Sequence, residues 1–300
     1  MNEHRLPPAG PVFVLTHLAL CSLAWGSSFY FIKLMGGALP PVYVATLRGL
    51  TAMLALSVLM LARGLSPLPT RDEVVPWAVI GLLNGALPNT LVAFAMERMD
   101  SGPAVLIQSF GPLVTAVAAH LLYADERLSV RAFVGVLIGL AGVGLLIGPG
   151  ALSGQMSLVG SAAMLTVALC YAAGNIYTRL VRHHDALRLA LGQQVFSTVF
   201  AGSAALAIVP PPDTATLTAN LWPILMLGIV TTAIPIALFM RLIVRAGPTR
   251  AAMTGYTVPA VAVLIGALAL GERLTLWQAA GGLTVFLGVF IVATSRRKFP

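Results

Sequence analysis

Ser101-Gly102-Pro103-Ala104-Val105-Leu106-Ile107-Gln108-Ser109-Phe110-Gly111-Pro112 begins a stretch that ends at Asp125-Glu126-Arg127-Leu128. A second copy begins at Ala246-Gly247-Pro248 and ends at Gly271-Glu272-Arg273-Leu274. Each reads Gly-Pro, then an apolar helix interrupted by a second proline (Pro112, Pro259), then Glu-Arg-Leu. A Gly-rich apolar helix follows each copy, Gly135 and Gly142 being matched by Gly281 and Gly288. Self-similarity at half the chain length means two copies of one unit, residues 1–150 and 151–300.

Composition fixes the solvent of those units. Of the 300 residues, 58% are hydrophobic and 9% charged, and the mean hydropathy is +0.91. A soluble domain carries about 25% charged residues, so this chain cannot wet the surface of a globule. Its apolar residues fall in runs of about 20, the length that spans a bilayer's hydrocarbon core as a helix. The net charge of +8 therefore reports topology rather than nucleic-acid binding. Cys21 and Cys170 lie inside apolar runs and read neither as metal ligands nor as an exposed disulfide, which leaves the redox compartment open. No cleavable signal peptide is evident: the first apolar run is long, and no clear cleavage site follows it.

The pattern predicts ten transmembrane helices, at about 12–34, 41–62, 75–97, 102–123, 130–148, 157–178, 188–209, 221–243, 247–270 and 276–294. Turns rich in proline and glycine separate them, among them Gly36-Gly37 with Pro40-Pro41, Pro67 and Pro69, Gly148-Pro149-Gly150, and Pro210-Pro211-Pro212. With the N-terminus cytoplasmic, fourteen basic residues fall on the cytoplasmic side, from Arg5 to the tail Arg296-Arg297-Lys298, against Lys33, Arg98 and Arg273 on the far side. Both termini are then cytoplasmic. Five spans per unit is an odd number, so the second unit enters from the opposite side. The expected fold is an all-α integral membrane protein of two inverted five-helix repeats around a central cavity. Gly81 to Pro88 pairs with Gly228 to Pro235, Trp25-Gly26-Ser27-Ser28 with Tyr171-Ala172-Ala173-Gly174, and Arg48 with Gln194.

Proline inside a helix frees the carbonyl four residues earlier. Pro88 and Pro235 fall near the bilayer midplane and free the carbonyls of Asn84 and Thr231; Pro112 and Pro259 free those of Gln108 and Gly255. An unmet carbonyl in lipid costs several kcal/mol, so these positions should face protein or a watery cavity. The four prolines are either packing kinks or gating points. Trp25, Ser27, Ser28, Asn84, Asn89, Gln108, Tyr171, Asn175 and Tyr256 are embedded polar or aromatic residues. Each either bonds across helices as glue or lines a cavity; as a set they are expected to line one. Trp25 and Tyr171 offer flat faces for an aromatic or apolar substrate. Arg48 lies about 12 Å beyond Pro40, where a charge costs about 2.5–3.5 kcal/mol. It either snorkels outward or holds a substrate carboxylate in its bidentate fork.

All ten acidic residues fall in loops or at helix ends, and an intramembrane acid is the usual proton relay of a coupled pump. His17 and His120 lie near membrane faces, so facilitated diffusion or weak coupling is expected. Ser129 and Thr275 are expected N-caps. Gly135, Gly139 and Gly142, with Gly281, Gly282 and Gly288, suit close helix packing within the protein or between two copies, so a monomer and a homodimer both fit. Phosphate-binding loops, His-Glu-x-x-His and Gly-x-Ser-x-Gly are missing, and His183-His184 has no companion ligands, so neither an enzyme nor a metal or other cofactor is indicated.

The five-plus-five plan, Trp25-Gly26-Ser27-Ser28, Arg48, and the paired Gly-Pro to Glu-Arg-Leu stretches resemble the EamA-type transporters of the drug/metabolite transporter superfamily, across essentially the whole chain. The resemblance extends, more distantly, to YddG-type exporters. It implies ten helices around a cavity with no ATP-binding part. It also implies export of amino acids, aromatic or neutral, or of related small metabolites across a bacterial inner membrane. Trp25, Ser27 and Arg48 are the site positions that it carries over. A broad exporter of drugs or lipophilic cations is the alternative within transport, weakened by the missing intramembrane acid. A membrane receptor or intramembrane enzyme is the alternative outside it.

Overall fold

The computed structural model describes residues 9–35, 37–96, 98, 107–147, 157–270 and 275–295. Gly102-Pro103, Gly148-Pro149-Gly150, Gly271 to Leu274 and the Arg296-Arg297-Lys298 tail lie outside them. Among the described residues every regular element is helical. The first half holds α1 (Pro11–Gly26), α2 (Ser28–Leu34), α3 (Pro41–Ala62), α4 (Val74–Gly81), α5 (Leu87–Met96), α6 (Gly111–Leu122) and α7 (Val130–Ile147). The second holds α8 (Leu158–Leu180), α9 (Ala186–Ile208), α10 (Thr214–Ala219), α11 (Leu221–Gly228), α12 (Ile234–Ala246), α13 (Pro248–Ala252), α14 (Thr254–Leu270) and α15 (Leu276–Thr294). Two π-helical turns, Leu82–Ala86 and Ile229–Ala233, join α4 to α5 and α11 to α12.

Among the described residues, six helical stretches are long and apolar enough to cross a membrane: Val42–Ala62, Val74–Val92, Leu158–Leu180, Ala186–Ile208, Leu221–Ala246 and Leu276–Thr294. Others are shorter because local chemistry interrupts them. The span expected at 12–34 breaks at Ser27, where the Ser27 hydroxyl bonds the Ala24 carbonyl at 2.9 Å and the Ser28 hydroxyl that of Trp25 at 2.5 Å. Serine side chains thus compete there for carbonyls that would continue the helix. A turn at Ser109-Phe110 precedes α6 and places Pro112 in that helix's first turn, where a missing N–H costs nothing. Pro259, by contrast, lies inside α14. The caps read from sequence are present. The Ser129 hydroxyl accepts from Ala132 N–H, and Thr275 with Gln278 forms a full capping box.

The most extensive helix contacts all join the first half to the second. α7 runs along α15; α9 packs on α3 and on the α4–α5 rod; α8 packs on α5 and α6; α1 packs on α12 and α14; α3 packs on α11. Each half is therefore the other's core. One cluster gathers Val14, Ala116, Val136, Leu242, Tyr256 and Val285, and another gathers Ala52, Trp77, Ile80, Leu191, Ala233 and Met240. Large apolar side chains face outward elsewhere, such as Leu158 and Leu276, 88% and 86% exposed. In water these would be liabilities; against acyl chains they are solvated.

The α7–α15 contact explains the glycines. A Cβ on Gly288 would lie 2.5 Å from Gly139 N and 2.6 Å from Gly135 O. One on Gly142 would lie 2.6 Å from Val285 N. These small residues let two backbones touch within one chain. Because the obstacles are backbone atoms, no rotamer change relieves them. Gly288→Ala is expected to lower the thermal midpoint by forcing the helices apart, overpacking being worth about 1–3 kcal/mol. Gly144, whose Cβ would meet nothing within 4 Å, should accept alanine without loss. Thermal size-exclusion profiles of the two variants check this; equal midpoints would remove the packing argument.

Candidate functional site

Two matched bends organise the middle of the bundle. At Leu87 the N–H bonds Leu82 O, five residues back, and Pro88 follows with no N–H at all. At Ile234 the N–H bonds Ile229 O, and Pro235 follows. A π turn and a proline together strip regular donors from the carbonyls in each bend. Asn84 and Thr231 are the central residues of the two turns. Their carbonyls receive side-chain donors from the opposite half. Arg48 on α3 points Nη2 at Thr231 O, 3.4 Å away, and donates from Nε to the Thr232 hydroxyl at 3.0 Å. Gln193 on α9 points Nε2 at Asn84 O, 3.5 Å away. Sequence pairing sets Gln194 opposite Arg48; the structure gives that part to Gln193.

Glycines make the approach close enough. A Cβ on Gly228 would fall 1.6 Å from the Thr51 hydroxyl and 3.0 Å from Arg48 O. A Cβ on Gly81 would fall 2.6 Å from Phe196 Cβ and 3.2 Å from Gln193 O. Gly85 leaves room for Ser197, and Gly174 for the Asn84 amide, whose Oδ1 would be 2.1 Å from an added Cβ. Neither Oδ1 nor Nδ2 of Asn84 has a protein partner although both atoms are buried. An unpaired amide in an apolar interior costs about 1–3 kcal/mol, so the seam holds polar capacity that the protein leaves unused.

Of the expected residues, Arg48 and Asn84 stand at the two bends. Tyr171 and Asn175 lie on the same face of α8 as Gly174, against which the Asn84 amide packs. Trp25, half-buried, packs on the cluster containing Ala52 and Ala233 and meets the Phe239 ring edge-on at 5.2 Å. Ser27 lies two residues further on, its hydroxyl spent on the Ala24 carbonyl. Gln108 follows Ile107, which packs with Tyr171 against Ala95, Ala163 and Met164. Tyr256 stands apart: it is fully buried in the α1–α7–α14–α15 cluster, its ring lying where a Gly139 side chain would be. Asn89 is exposed on α5. Pro112 packs against Gly255. Gln193, Ser197 and Thr232 were not singled out from the sequence, although paired glutamines in an apolar run are a signal of the same kind as Arg48.

One end of the bundle is pinned by ions. Arg188 and Glu73 form a bidentate pair, and Arg188 also donates to Ser66 O at 2.7 Å and Leu68 O at 2.9 Å. Thr70 donates to Glu73 from its N–H at 2.9 Å and its hydroxyl at 2.8 Å. Arg179 pairs with Asp125 and reaches Val244 O at 3.1 Å. Both pairs cross between the halves.

Helices of membrane length that spend polar side chains on one another's mid-depth carbonyls define a class, the polytopic membrane transporter. The chain belongs to the EamA-like transporter family: the family profile matches twice, over residues 13–148 and 158–294. The uncharacterized inner membrane transporter YedA of Escherichia coli strain K12 is 30% identical over 98% of this chain and 93% of its own length. Protein PecM of Dickeya dadantii is 28% identical over 91% of each chain. The uncharacterized transporter YoaV of Bacillus subtilis is 23% identical over 96% of this chain and 99% of its own. A solved crystal structure superposes with a TM-score of 0.78 at 18% identity, covering 94% of this chain and 98% of that one, a likeness of fold alone.

The ion pins carry a pH prediction. Burial alone would raise the Glu73 carboxyl, but the Arg188 guanidinium and the Thr70 bonds outweigh it and hold it down at about 2. A folded pKa below the unfolded value of about 4.3 stabilises the protein above that value. The contribution is lost as pH falls through the folded pKa. Acidifying from pH 5 to pH 2 should therefore lower the thermal midpoint more in the parent than in Glu73→Gln. Parallel melting curves for the two across that window would remove Glu73 as the acid-sensitive pin.

Proposed function

We propose that the protein exports amino acids, aromatic or neutral, or related small metabolites across a bacterial inner membrane by alternating access. In this reading ten helices cross the bilayer as two inverted five-helix repeats, residues 1–150 and 151–300, with both termini cytoplasmic. The observation that carries it is the pair of bends. The same π turn, proline and cross-half donor recur in both halves with the roles of the halves exchanged. An in-plane axis between inverted repeats would generate that pattern. The inner-membrane name of YedA supports the location.

Substrate would sit in the seam. Arg48 Nη1 is not used by a protein acceptor among the described residues and offers a charged donor for a carboxylate. Asn84, with its unused amide, and Asn175 supply neutral polar contacts. Trp25, Tyr171 and Gln108 border the apolar side, with Ser27 shaping the α1–α2 break. Pro88 and Pro235 serve as gating bends, and Pro112 and Pro259 as their counterparts on the neighbouring rods. A YddG-like substrate range follows from the same reading. Gly135, Gly139, Gly142 and Gly288 are taken up inside the chain, so a dimer would not be built on them. With no acid in the seam among the described residues, flux should not depend on a proton gradient.

Counterflow of labelled aromatic and neutral amino acids in proteoliposomes tests the reading. Uptake is expected without a pH gradient, and Asn84→Ala or Trp25→Ala should reduce it by about tenfold, the worth of a buried polar or aromatic contact. Flux of a lipophilic cation such as tetraphenylphosphonium with no amino-acid flux would replace the substrate class. Topology is checked separately, with single cysteines at Ser153 and His184: Ser153 should label only from outside and His184 only from inside. The native Cys21 and Cys170 are buried.

A further inference from the structure

Arg48 and Gln193 occupy the same place in different helices. Arg48 is seven residues beyond Pro41, the first of α3; Gln193 is seven beyond Ala186, the first of α9. Each is thus about 11 Å along its helix. Each faces the central residue of a five-residue π turn, and in each case the proline stands two positions after the turn. Each presents its own backbone carbonyl to a glycine of the bent rod, Arg48 O to Gly228 and Gln193 O to Gly81. The side chains differ in charge and share one capability: both extend a planar N–H donor to a carbonyl that the bend has left short.

We propose that Gln193 and Arg48 are paired positioning residues that latch the α4–α5 and α11–α12 bends and set the rate at which those rods flex during transport. This rests on the transport reading above for its consequence, though not for its geometry. An unmet carbonyl at this depth costs several kcal/mol in lipid, so a bend cannot change angle without a donor that follows it. The donor distances, 3.4 Å and 3.5 Å, are longer than an ordinary N–H···O bond of about 2.9–3.0 Å. π turns concentrate at functional hinges because their ladder is already out of register. Arg48 is additionally held by the Thr232 hydroxyl, itself bonded to Leu227 O at 2.7 Å, so its bend is the more firmly held of the two.

Hydrogen–deuterium exchange in lipid nanodiscs reads the latch without reference to any substrate. Gln193→Met keeps length and removes the donor. Exchange across residues 82–90 should accelerate about three- to tenfold, the factor that one hydrogen bond contributes, while residues 229–236 stay within about twofold of the parent. Arg48→Met should do the reverse. Arg48→Gln installs the other half's donor and should keep residues 229–236 within about twofold; it also keeps the test open should Arg48→Met fail to fold. Unchanged exchange at 82–90 in Gln193→Met, or acceleration spread over all peptides, overturns the latch. So does opening of 229–236 in Arg48→Gln as large as in Arg48→Met. In counterflow, Gln193→Met should change maximal rate several-fold with KM within about twofold; a raised KM with unchanged rate would make Gln193 a substrate contact and overturn its role as a latch. Local exchange as expected, with no amino-acid flux in the parent, would leave the latch standing and remove the substrate reading alone.

Discussion

Backbone carbonyls in lipid need a donor, and water is not there to supply one. That constraint governs the middle of this protein. A π turn and a proline remove donors from two rods, and the chain answers by bringing Arg48 and Gln193 from the opposite half. Close approach then becomes necessary, which explains Gly81 and Gly228, where any Cβ would strike the partner helix. It also explains why the broadest contacts run between halves rather than within them. A half alone would carry a bent rod with nothing to meet its bend.

The same constraint accounts for what could be read from the sequence. Prolines and glycines report backbone events, and backbone events are local, so the bends at Pro88 and Pro235 were legible, as was close packing at the α7 and α15 glycines, though not that these two helices pack on each other. Asn84 and Thr231 followed by counting back four residues. Arg48 stood out because a charge in an apolar run is rare. Gln193 did not, because a neutral amide in such a run has many uses, and because the register between α3 and α9 differs by one residue from that which pairs Arg48 with Gln194. Tyr256 was legible only as an embedded hydroxyl; which side of α14 faces Gly139 is a matter of helix rotation, and rotation is set by packing against other helices. The break at Ser27 was hidden for a related reason, since serine in a membrane helix bends it only when its hydroxyl takes a nearby carbonyl.

Charge is placed by depth. Glu73 and Asp125 lie at the end of the bundle, each paired with an arginine of the other half. There solvent lowers the cost of burying ions and the pairs can still hold two helices in register. At mid-depth Arg48 has hydroxyl and carbonyl acceptors and no carboxylate among the described residues. An ion pair at that height would neutralise the guanidinium; on neutral acceptors it keeps its charge, which the proposed reading assigns to a substrate carboxylate. His17 and His120 fit the same rule. His17 donates from Nδ1 to Phe13 O at 2.9 Å, and His120 Nδ1 accepts from Leu128 N–H at 3.0 Å, so both rings serve local backbone.

The helices that carry the two donors are tied to each other at both ends. At one end Arg188, near the start of α9, binds the carbonyls of Ser66 and Leu68 just beyond α3. At the other, Tyr43, near the start of α3, donates its hydroxyl to Val209 O just beyond α9, at 2.9 Å. Between them Gly49 lets Thr198 approach, and the two helices pack along their length. A pair fastened at top and bottom moves as one body. The α4–α5 and α11–α12 rods instead lie across this pair, each with a weakened ladder at the height where the pair offers a donor. In the transport reading, motion would concentrate in the rods, because breaking one long hydrogen bond at a bend is easier than breaking the three bonds that fasten the two ends. On the transport mechanism proposed above, the α3–α9 pair would be the frame and the bent rods the parts that rock against it.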